Sequence, residues 1–433
     1  MLEPFQNTVQ EASRTVGPAE KSVLVIGGGI SGITSAVEIA ETGCRVYLVE
    51  KLPYLGGQVA RINEYFPKLC PPYCGLEINF KRIRNNPLIQ VLTSSTVEEI
   101  AGEAGDFKVR IKREPEYVTV DCTACGECES VCRVETPDPF NYGMSSRKAI
   151  ALPHELAYPA RFHLDDAACD RVSCKKCVDV CRYNAIQLDA TQKSIDISVN
   201  AVLLSTGWKP YEPGNLEEYA WGRSPDILTN VMMERLGAPN GPTAGKILKP
   251  SDQQPAVKIA FVQCAGSRDE NHLPYCSAVC CSASLKQALY FTRQNKEHKA
   301  DIYYIDLRVT GRNEDFLRKV EVNDQIRLLK GKVSAVLLEG GKLVIEAENI
   351  LSGQKIRTDY DLVVLATGIV PEIPGLPAVD LDRDGFVIKE SLEHGLMAGG
   401  CCCEPKDVAS TVRESTGEVL KVLQKNTQGG DGI

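Results

Sequence analysis

Residues 21–51 read KSVLVIGGGISGITSAVEIAETGCRVYLVEK. An apolar run, a glycine-rich turn, a stretch with helical apolar spacing and a second apolar run make a strand, turn, helix and strand. Gly27, Gly29 and Gly32 form GxGxxG between the first strand and the helix. There, backbone amides and the helix N-terminus can hold a pyrophosphate. Glu50 ends the second strand, placed to accept from a ribose hydroxyl, and Lys51 follows it. The other reading of the same residues is a glycine-rich turn without a ligand.

The pattern continues in both directions. LGGQ (55–58) brings Gly57 and Gln58 after the βαβ unit, and a loop with a helix leads to a strand at 107–114. ISVNAVLLSTGWKP (197–210) predicts one buried strand ending in Thr206-Gly207, and DLVVLATGIVP (361–371) repeats that signature with Thr367-Gly368. A Gly/Pro-rich connector at 238–255 separates the two halves. The second half, 255–370, reads as another α/β domain. Together these features resemble two-dinucleotide-domain flavoproteins of the thioredoxin reductase kind, which favours FAD over NAD in the first site. The second domain departs from that pattern: QCAGSRDENHLPYCSAVCCSAS (263–284) lacks GxGxxG and sets cysteines where a nicotinamide dinucleotide's phosphates would lie. NAD(P)H is therefore not expected as direct reductant.

Between 115 and 193 the composition shifts. DCTACGECESVCRVE (121–135) contains Cys122, Cys125, Cys128 and Cys132, and a second run follows with Cys169, Cys174, Cys177 and Cys181. CxxCxxCxxxC and CxxxxCxxCxxxC are the spacings of a two-cluster ferredoxin, where the last cysteine of each run serves the other cluster. Cys122, Cys125, Cys128 and Cys181 are thus expected on one 4Fe-4S cluster, and Cys132, Cys169, Cys174 and Cys177 on the other. A structural zinc site would need one tetrahedral set. Arg133 and Arg182 stand where bacterial ferredoxins usually have proline, and as cations they would raise the cluster potentials. Cys264, Cys276, Cys280 and Cys281 suit a third cluster or buried packing. Cys70 and Cys74 suit a redox dithiol facing the flavin, cluster ligands or packing. Of Cys401, Cys402 and Cys403, at most one is expected to matter, and Cys44 reads as structural. His154, His163, His272, His298 and His394 lack metal-pair spacing and read as surface or capping residues.

The chain of 433 residues is 43% hydrophobic, enough for two or three domains and a sizeable core. A net charge of -8 without a basic run argues against nucleic acid and anionic lipid as partners. The first 20 residues lack a signal peptide's pattern, and no apolar run is long enough to span a membrane. The expectation is a cytoplasmic protein with a polar arm at 1–20 and a disordered tail at 425–433. In that reducing compartment 18 cysteines point to metal or redox chemistry.

The order of the FAD fingerprint, the two-cluster insert, YAWGRSPDILTNVMMERL (219–236), GPTAGKILKPSD (241–252), CAGSRDENHLPYCSAVCC and GGCCCEPKDVASTV (399–412) resembles the A-type subunits of heterodisulfide reductase across nearly the whole chain. Within that family the chain looks most like the branch found in quinone-interacting membrane-bound oxidoreductase complexes. The resemblance implies a thioredoxin-reductase-like flavoprotein with a ferredoxin-like insert. The FAD domain is then split over 21–114, 194–254 and 371–424. It places Gly400, Lys406 and Asp407 in the closing FAD contact and puts a further cluster on Cys264, Cys276, Cys280 and Cys281. The implied partners are a second flavin/iron-sulfur subunit, the quinone-interacting membrane subunit that would hold the protein at the inner face of the membrane, and adenosine phosphosulfate reductase. Competing readings are an electron-bifurcating component of heterodisulfide reductase, a stand-alone flavin disulfide reductase using Cys70 and Cys74, and a scaffold with structural clusters.

Overall fold

The computed structural model describes residues 21–373, 375, 379–392 and 395–427. The polar arm at 1–20, His394 and the last six residues of the expected tail lie outside the described residues. The helices are α1 (Ile30–Glu41), α2 (Tyr73–Asn85), α3 (Glu127–Val131), α4 (Lys176–Val180), α5 (Asn230–Gly237), α6 (Cys280–Thr292), α7 (Glu314–Glu321) and α8 (Val408–Thr427). Since α8 is helical through Thr427, the first residues of the expected tail are ordered helix: Val419 and Val422 are buried against the first core and carry α8 past it.

The apolar runs at 22–26 and 45–49 pair in parallel, Ser22 against Arg45, as strands at the centre of a five-stranded sheet. Strands Leu396–Ala398, Ala201–Leu204, Ser22–Ile26, Arg45–Val49 and Ile89–Leu92 lie side by side in that order. One face is covered by α1, α2 and α8, with Val23, Val25, Ile33, Val46, Phe80 and Val422 in one apolar core. The other face packs on an antiparallel three-stranded sheet, where Leu24, Ile26 and Val202 meet Phe107, Val109 and Ile111. Both faces of the parallel sheet are dry, which is why its strands read as continuous apolar runs.

One expectation is corrected here. Residues 197–210 are not a single strand. Lys193–Val199 belongs to the three-stranded sheet and Ala201–Leu204 to the parallel one. The break falls at Asn200, whose side chain accepts the Ser22 amide at 2.8 Å and donates to the Gly105 carbonyl at 2.8 Å. A polar residue whose side chain substitutes for ladder partners lets the chain change sheets.

The cysteine-rich insert leaves after strand Asp106–Arg113 and returns at Lys193–Val199. These two strands pair with Arg113 opposite Lys193, so the insert's ends lie side by side. The insert holds two small hairpins, Glu135–Pro137 with Ser146–Lys148 and Ile150–Ala151 with His163–Leu164, and the short helices α3 and α4. Its core is Tyr117, Val118, Ile150, Phe162, Leu164 and Ile186 with the cysteines themselves.

The second half forms a seven-stranded sheet. Ile227–Thr229, Leu362–Leu365, Lys258–Val262, Lys299–Tyr304 and Ile326–Glu339 run parallel, and Ile326–Glu339 then pairs antiparallel with Lys342–Asn349, followed by Lys355–Tyr360. The 14-residue strand Ile326–Glu339 thus serves both parts, with a bulge between Val333 and Ala335. Trp208–Pro210 and Ile369–Pro371 pair antiparallel and carry the chain between the two halves.

Candidate functional site

A cavity of about 810 Å³ opens at the carboxyl end of the first parallel sheet. That is the size of a ligand pocket, and the end of the sheet where dinucleotides bind. Gly27, with φ of 108°, begins the turn; a Cβ there would stand 2.3 Å from the Ser205 carbonyl oxygen. Gly32 has a different task. A Cβ on it would meet the Gly27 carbonyl oxygen at 1.8 Å, so it allows α1 to close on the turn and does not itself line the cavity. The amide of Gly28 donates to Glu50 Oε2 at 2.6 Å and that of Leu52 to Oε1 at 2.8 Å. Burial pushes the Glu50 carboxyl up from its ordinary value, and these two amides oppose the shift.

Gly27, Gly29, Glu50, Lys51, Gly57 and Gln58 line one side of the cavity, and Thr206, Gly207, Cys401, Lys406 and Asp407 line it as well. Lys51 is ion-paired with Glu372. Asp407 caps α8 by accepting the Ser410 amide at 2.7 Å. The Thr206 side chain is buried beside the Cys402 thiol. A glycine turn and a buried carboxylate around a cavity of this size fit a bound FAD.

Thr367, Gly368 and Gly400 do not line this cavity. The Gly400 amide donates to Glu414 Oε2 at 2.8 Å, behind the lining. Thr367-Gly368 is the equivalent turn of the second sheet, and it faces cysteines: the Gly368 backbone is hydrogen-bonded to the Cys280 thiol, and a Cβ on Gly368 would meet Ser267 and Ser277 hydroxyls at 2.3 and 2.6 Å. The repeat is therefore real in the backbone but serves a different group.

That group occupies the turn after strand Lys258–Val262, where the first half has Gly27 to Gly29. Cys264 sits at φ of 57° two residues past the end of the strand, and Cys280 and Cys281 open α6. Burial pushes the Cys280 thiol well up from its ordinary value, and Cys281, Cys264 and Cys276 lie near enough to add to the shift. The Cys264 thiol is pushed up to about 11, mainly by burial, with Cys281 and Cys276 adding to it. Arg268, paired with Asp306 at 2.8 Å, also reaches Cys264.

In the insert, burial and the nearby Cys122 and Cys125 push Cys128 up to about 12. Burial, Cys177, Cys132 and Cys174 push Cys169 up to about 11. Cys132, the last cysteine of the first run, therefore stands among the cysteines of the second run. Thiols packed this closely suppress each other's ionisation, and a bound iron cluster removes that cost by taking the thiolates as ligands. Among the described residues no three His, Cys, Asp or Glu side chains converge as a single-ion site requires. Arg133 and Arg182 are both exposed, so solvent weakens the field they were expected to exert.

Cys70 lines the cavity, whereas Cys74 stands exposed in the first turn of α2. Cys402 is fully buried with its sulfur 3.8 Å from that of Cys403. A hydrogen bond from Cys403 favours the ionised form of Cys402 and lowers it from its ordinary value. Cys44 is buried in the first core, as expected of a structural residue.

The described histidines are mostly not surface residues. His154 stacks on Phe140 with ring centroids 4.4 Å apart, and burial lowers it to about 3. His163 is lowered to about 4 by burial. His272 Nδ1 is 2.9 Å from the Tyr211 hydroxyl. His298 is buried, and its Nδ1 meets the Phe291 carbonyl at 2.9 Å near the end of α6. His154 and His298 stack their rings on Phe140 and Phe291, and His272 meets the Tyr211 ring edge-on, a use that spacing in sequence does not reveal.

Sequence reasoning missed the far wall of the cavity. Lys286 of α6, 2% exposed, pairs with Glu234 of α5 at 2.8 Å and donates to the Glu64 carbonyl at 2.6 Å. Glu234 also accepts from the Asn63 amide at 3.0 Å and from Gln287 Nε2 at 2.6 Å. Tyr142 of the insert reaches the same cavity and donates to Gln58 Oε1 at 3.0 Å. Val279 and Ala283, either side of Cys280 and Cys281, line it too.

Residues 22–117 match the family described as FAD dependent oxidoreductase. The chain is 32% identical to the A-type subunit of the H(2):CoB-CoM heterodisulfide,ferredoxin reductase of Methanothermobacter thermautotrophicus, over 97% of this chain and 65% of that one. It is 31% identical to the iron-sulfur A-type subunit of the CoB--CoM heterodisulfide reductase of Methanocaldococcus jannaschii, over 97% of this chain and 66% of that one. The chain thus spans just under two thirds of the length of these relatives. Among solved structures it is similar to thioredoxin reductase of T. acidophilum, at a TM-score of 0.54 and 13% identity, covering 94% of this chain and 100% of the other. Thioredoxin reductase of Lactococcus lactis gives 0.52 at 13% identity, over 94% and 99%. The fold is therefore that of the thioredoxin-reductase-like FAD oxidoreductases. Over nearly its whole length the chain is thus similar to the A-type subunits of heterodisulfide reductase.

Proposed function

We propose that this chain is a heterodisulfide reductase A-type subunit, the electron-transfer component of a multi-subunit reductase, holding FAD in the cavity and 4Fe-4S clusters on its cysteine groups. One observation carries the reading: the cavity is lined both by Tyr142 of the cysteine-rich insert and by Val279 and Ala283, which flank Cys280 and Cys281. FAD exchanges electrons in pairs with organic donors and singly with metal centres. A cavity touching two cysteine-rich segments lets a flavin pass electrons to either. Cys122, Cys125, Cys128 and Cys181 would hold one cluster, Cys132, Cys169, Cys174 and Cys177 a second, and Cys264, Cys276, Cys280 and Cys281 a third. Gly27 to Gly29 would hold the pyrophosphate, Glu50 would fix the turn, and buried Lys286 and Glu234 would keep a charged, water-poor wall at the far end.

The parent complex on this reading is of heterodisulfide reductase type, with the flavin dividing electrons between a disulfide and a ferredoxin. The quinone-linked alternative would supply adenosine phosphosulfate reductase through two further subunits, one with flavin and iron-sulfur groups and one in the membrane. It rests on the chain's resemblance to that branch of the family, whereas blocks 219–236, 241–252 and 399–412 are those of the family as a whole. Among the described residues no helix is long and apolar enough to cross a membrane, so membrane attachment through this part of the chain would need a partner. Anaerobic affinity purification from the native host with mass spectrometry separates the two. Co-purifying cysteine-rich disulfide-reducing subunits support the first, a quinone-binding membrane protein the second. A chain with neither FAD nor iron overturns both.

A further inference from the structure

The turn that closes the first hairpin of the insert, residues 138–145, brings Tyr142 into the lining of the cavity. Asp138 braces the turn from within. Its carboxylate accepts the Phe140 amide at 2.9 Å and Asn141 Nδ2 at 2.8 Å, and its carbonyl accepts the Gly143 amide at 2.9 Å. Two arginines hold the same turn from other parts of the chain. Buried Arg235 of α5 donates through Nε to Asn141 Oδ1 at 2.9 Å, with its guanidinium 4.6 Å from the centre of the Phe140 ring. Arg61 lies 5.6 Å from that ring and 5.0 Å from the ring of Tyr142.

Tyr142 has φ of 53°. A left-handed backbone is uncommon for an aromatic residue, and strain of this kind persists where the surroundings fix it and collects at functional sites. The Tyr142 hydroxyl donates to Gln58 Oε1 at 3.0 Å, and both residues line the cavity. Arg61, which donates to the Tyr54 hydroxyl at 3.0 Å, also reaches the Tyr142 hydroxyl. A guanidinium only donates, so the phenol keeps its own proton to give to Gln58. Burial pushes the Tyr142 hydroxyl up from its ordinary value, which holds that proton in place.

The consequence falls on Gln58. With its oxygen engaged by the insert, the amide has two N–H groups to place. One goes to the Trp208 carbonyl at 3.4 Å, a long contact. Among the described residues the other is left for the occupant of the cavity. The Tyr142 hydroxyl therefore fixes which end of the amide the occupant meets.

We propose that Tyr142 is a positioning residue through which the insert sets the redox potential of the flavin, by holding Gln58 with an N–H donor toward it. The inference rests on the reading that the cavity holds FAD. A donor aimed at the flavin favours its electron-rich, reduced form. Without the hydroxyl the amide is free to turn, and an oxygen lone pair in the donor's place opposes reduction.

The test uses the full chain purified anaerobically with FAD, with the flavin midpoint read by potentiometric titration and iron assayed on every sample. Tyr142→Phe keeps the ring beside Arg61 and removes only the hydroxyl. The ratio of affinities for reduced and oxidised FAD is expected to fall about tenfold, seen as a lower midpoint. Gln58→Met should lower the midpoint to a similar extent, and Tyr142→Phe should add nothing in that background. Tyr183→Phe, a half-exposed tyrosine of the insert, should leave the midpoint unchanged. A midpoint unmoved by Tyr142→Phe, or a second drop of equal size in the Gln58→Met background, overturns the proposal. Should Tyr142→Phe lose iron or fail to fold, Gln58→Met decides alone, and an unmoved midpoint there overturns it as well. An unaltered chain that takes up no FAD defeats the cavity reading and the proposal with it, whereas bound FAD with an unmoved midpoint defeats the proposal only.

Discussion

The Gly28 amide nitrogen lies 2.6 Å from Glu50 Oε2, and the other oxygen of that carboxylate accepts from Leu52. A buried carboxylate thus ties the glycine turn to the end of the second strand. Glu50→Gln offers one acceptor where two amides donate, and its NH2 group faces an N–H. The expected result is a loss of about 1–3 kcal/mol of stability with a lower ratio of flavin to protein. Thermal unfolding and flavin absorbance measure both. Burial disfavours the charged form of Glu50. A neutral glutamine that holds flavin equally well would therefore show that relief of this penalty outweighs the lost hydrogen bond.

Cys132 stands beside Cys169 and Cys177 of the second run. If each group binds one cluster, Cys132→Ser and Cys122→Ser should each remove about half of the insert's iron. Cys132→Ser with Cys174→Ser should then lose no more than Cys132→Ser alone, whereas Cys132→Ser with Cys125→Ser should lose nearly all. Iron and sulfide analysis with low-temperature EPR reads the outcome. The opposite pattern of coupling would return Cys132 to its sequence neighbours.

Lys286 and Glu234 form an ion pair in which both side chains are nearly buried. Glu234→Ala leaves the ammonium unpaired and should cost about 3–5 kcal/mol. Adding Lys286→Met removes the orphaned charge, and the double variant should recover most of the loss. A double-variant cycle in urea gives the coupling. Strictly additive losses would mean that the two charges act independently.

His154 is held neutral, with its folded-state value lowered to about 3 by burial beside Arg235 and Arg61. Between that value and the ordinary histidine range the unfolded chain binds more protons than the folded one, so stability falls as pH drops through this window and is flat above it. Replacement by phenylalanine keeps a flat ring on Phe140 without the titration. The variant's midpoint should fall less between neutral pH and pH of about 5.5, by the equivalent of about 1 kcal/mol. Parallel profiles for the two proteins would assign the acid sensitivity to other groups.

What could be read from the chain was local. The first βαβ unit, the parallel strands, the split of the chain around a cysteine-rich insert and the strand-Thr-Gly repeat depend on neighbours within a turn or a strand. Periodicity, GxGxxG and cysteine spacing record these directly. The placement of Cys132 among the second cysteine run was legible too, because it follows from the spacing of a two-cluster motif. Long-range placement decided the rest. Asn200 breaks an apolar run only because Ser22 and Gly105 happen to lie beside it, so the change of sheet has no local signal. Thr206-Gly207 and Thr367-Gly368 share a signature, yet the first turn lines the cavity and the second meets Cys280 through the Gly368 backbone, according to which segments fold over each sheet's end. Glu234 and Lys286 are 52 residues apart and look like ordinary helical charges. Only the packing of α5 on α6 removes water from both and makes them the cavity's far wall, because the free energy of a buried charge depends on what surrounds it in space, not on its neighbours in the chain.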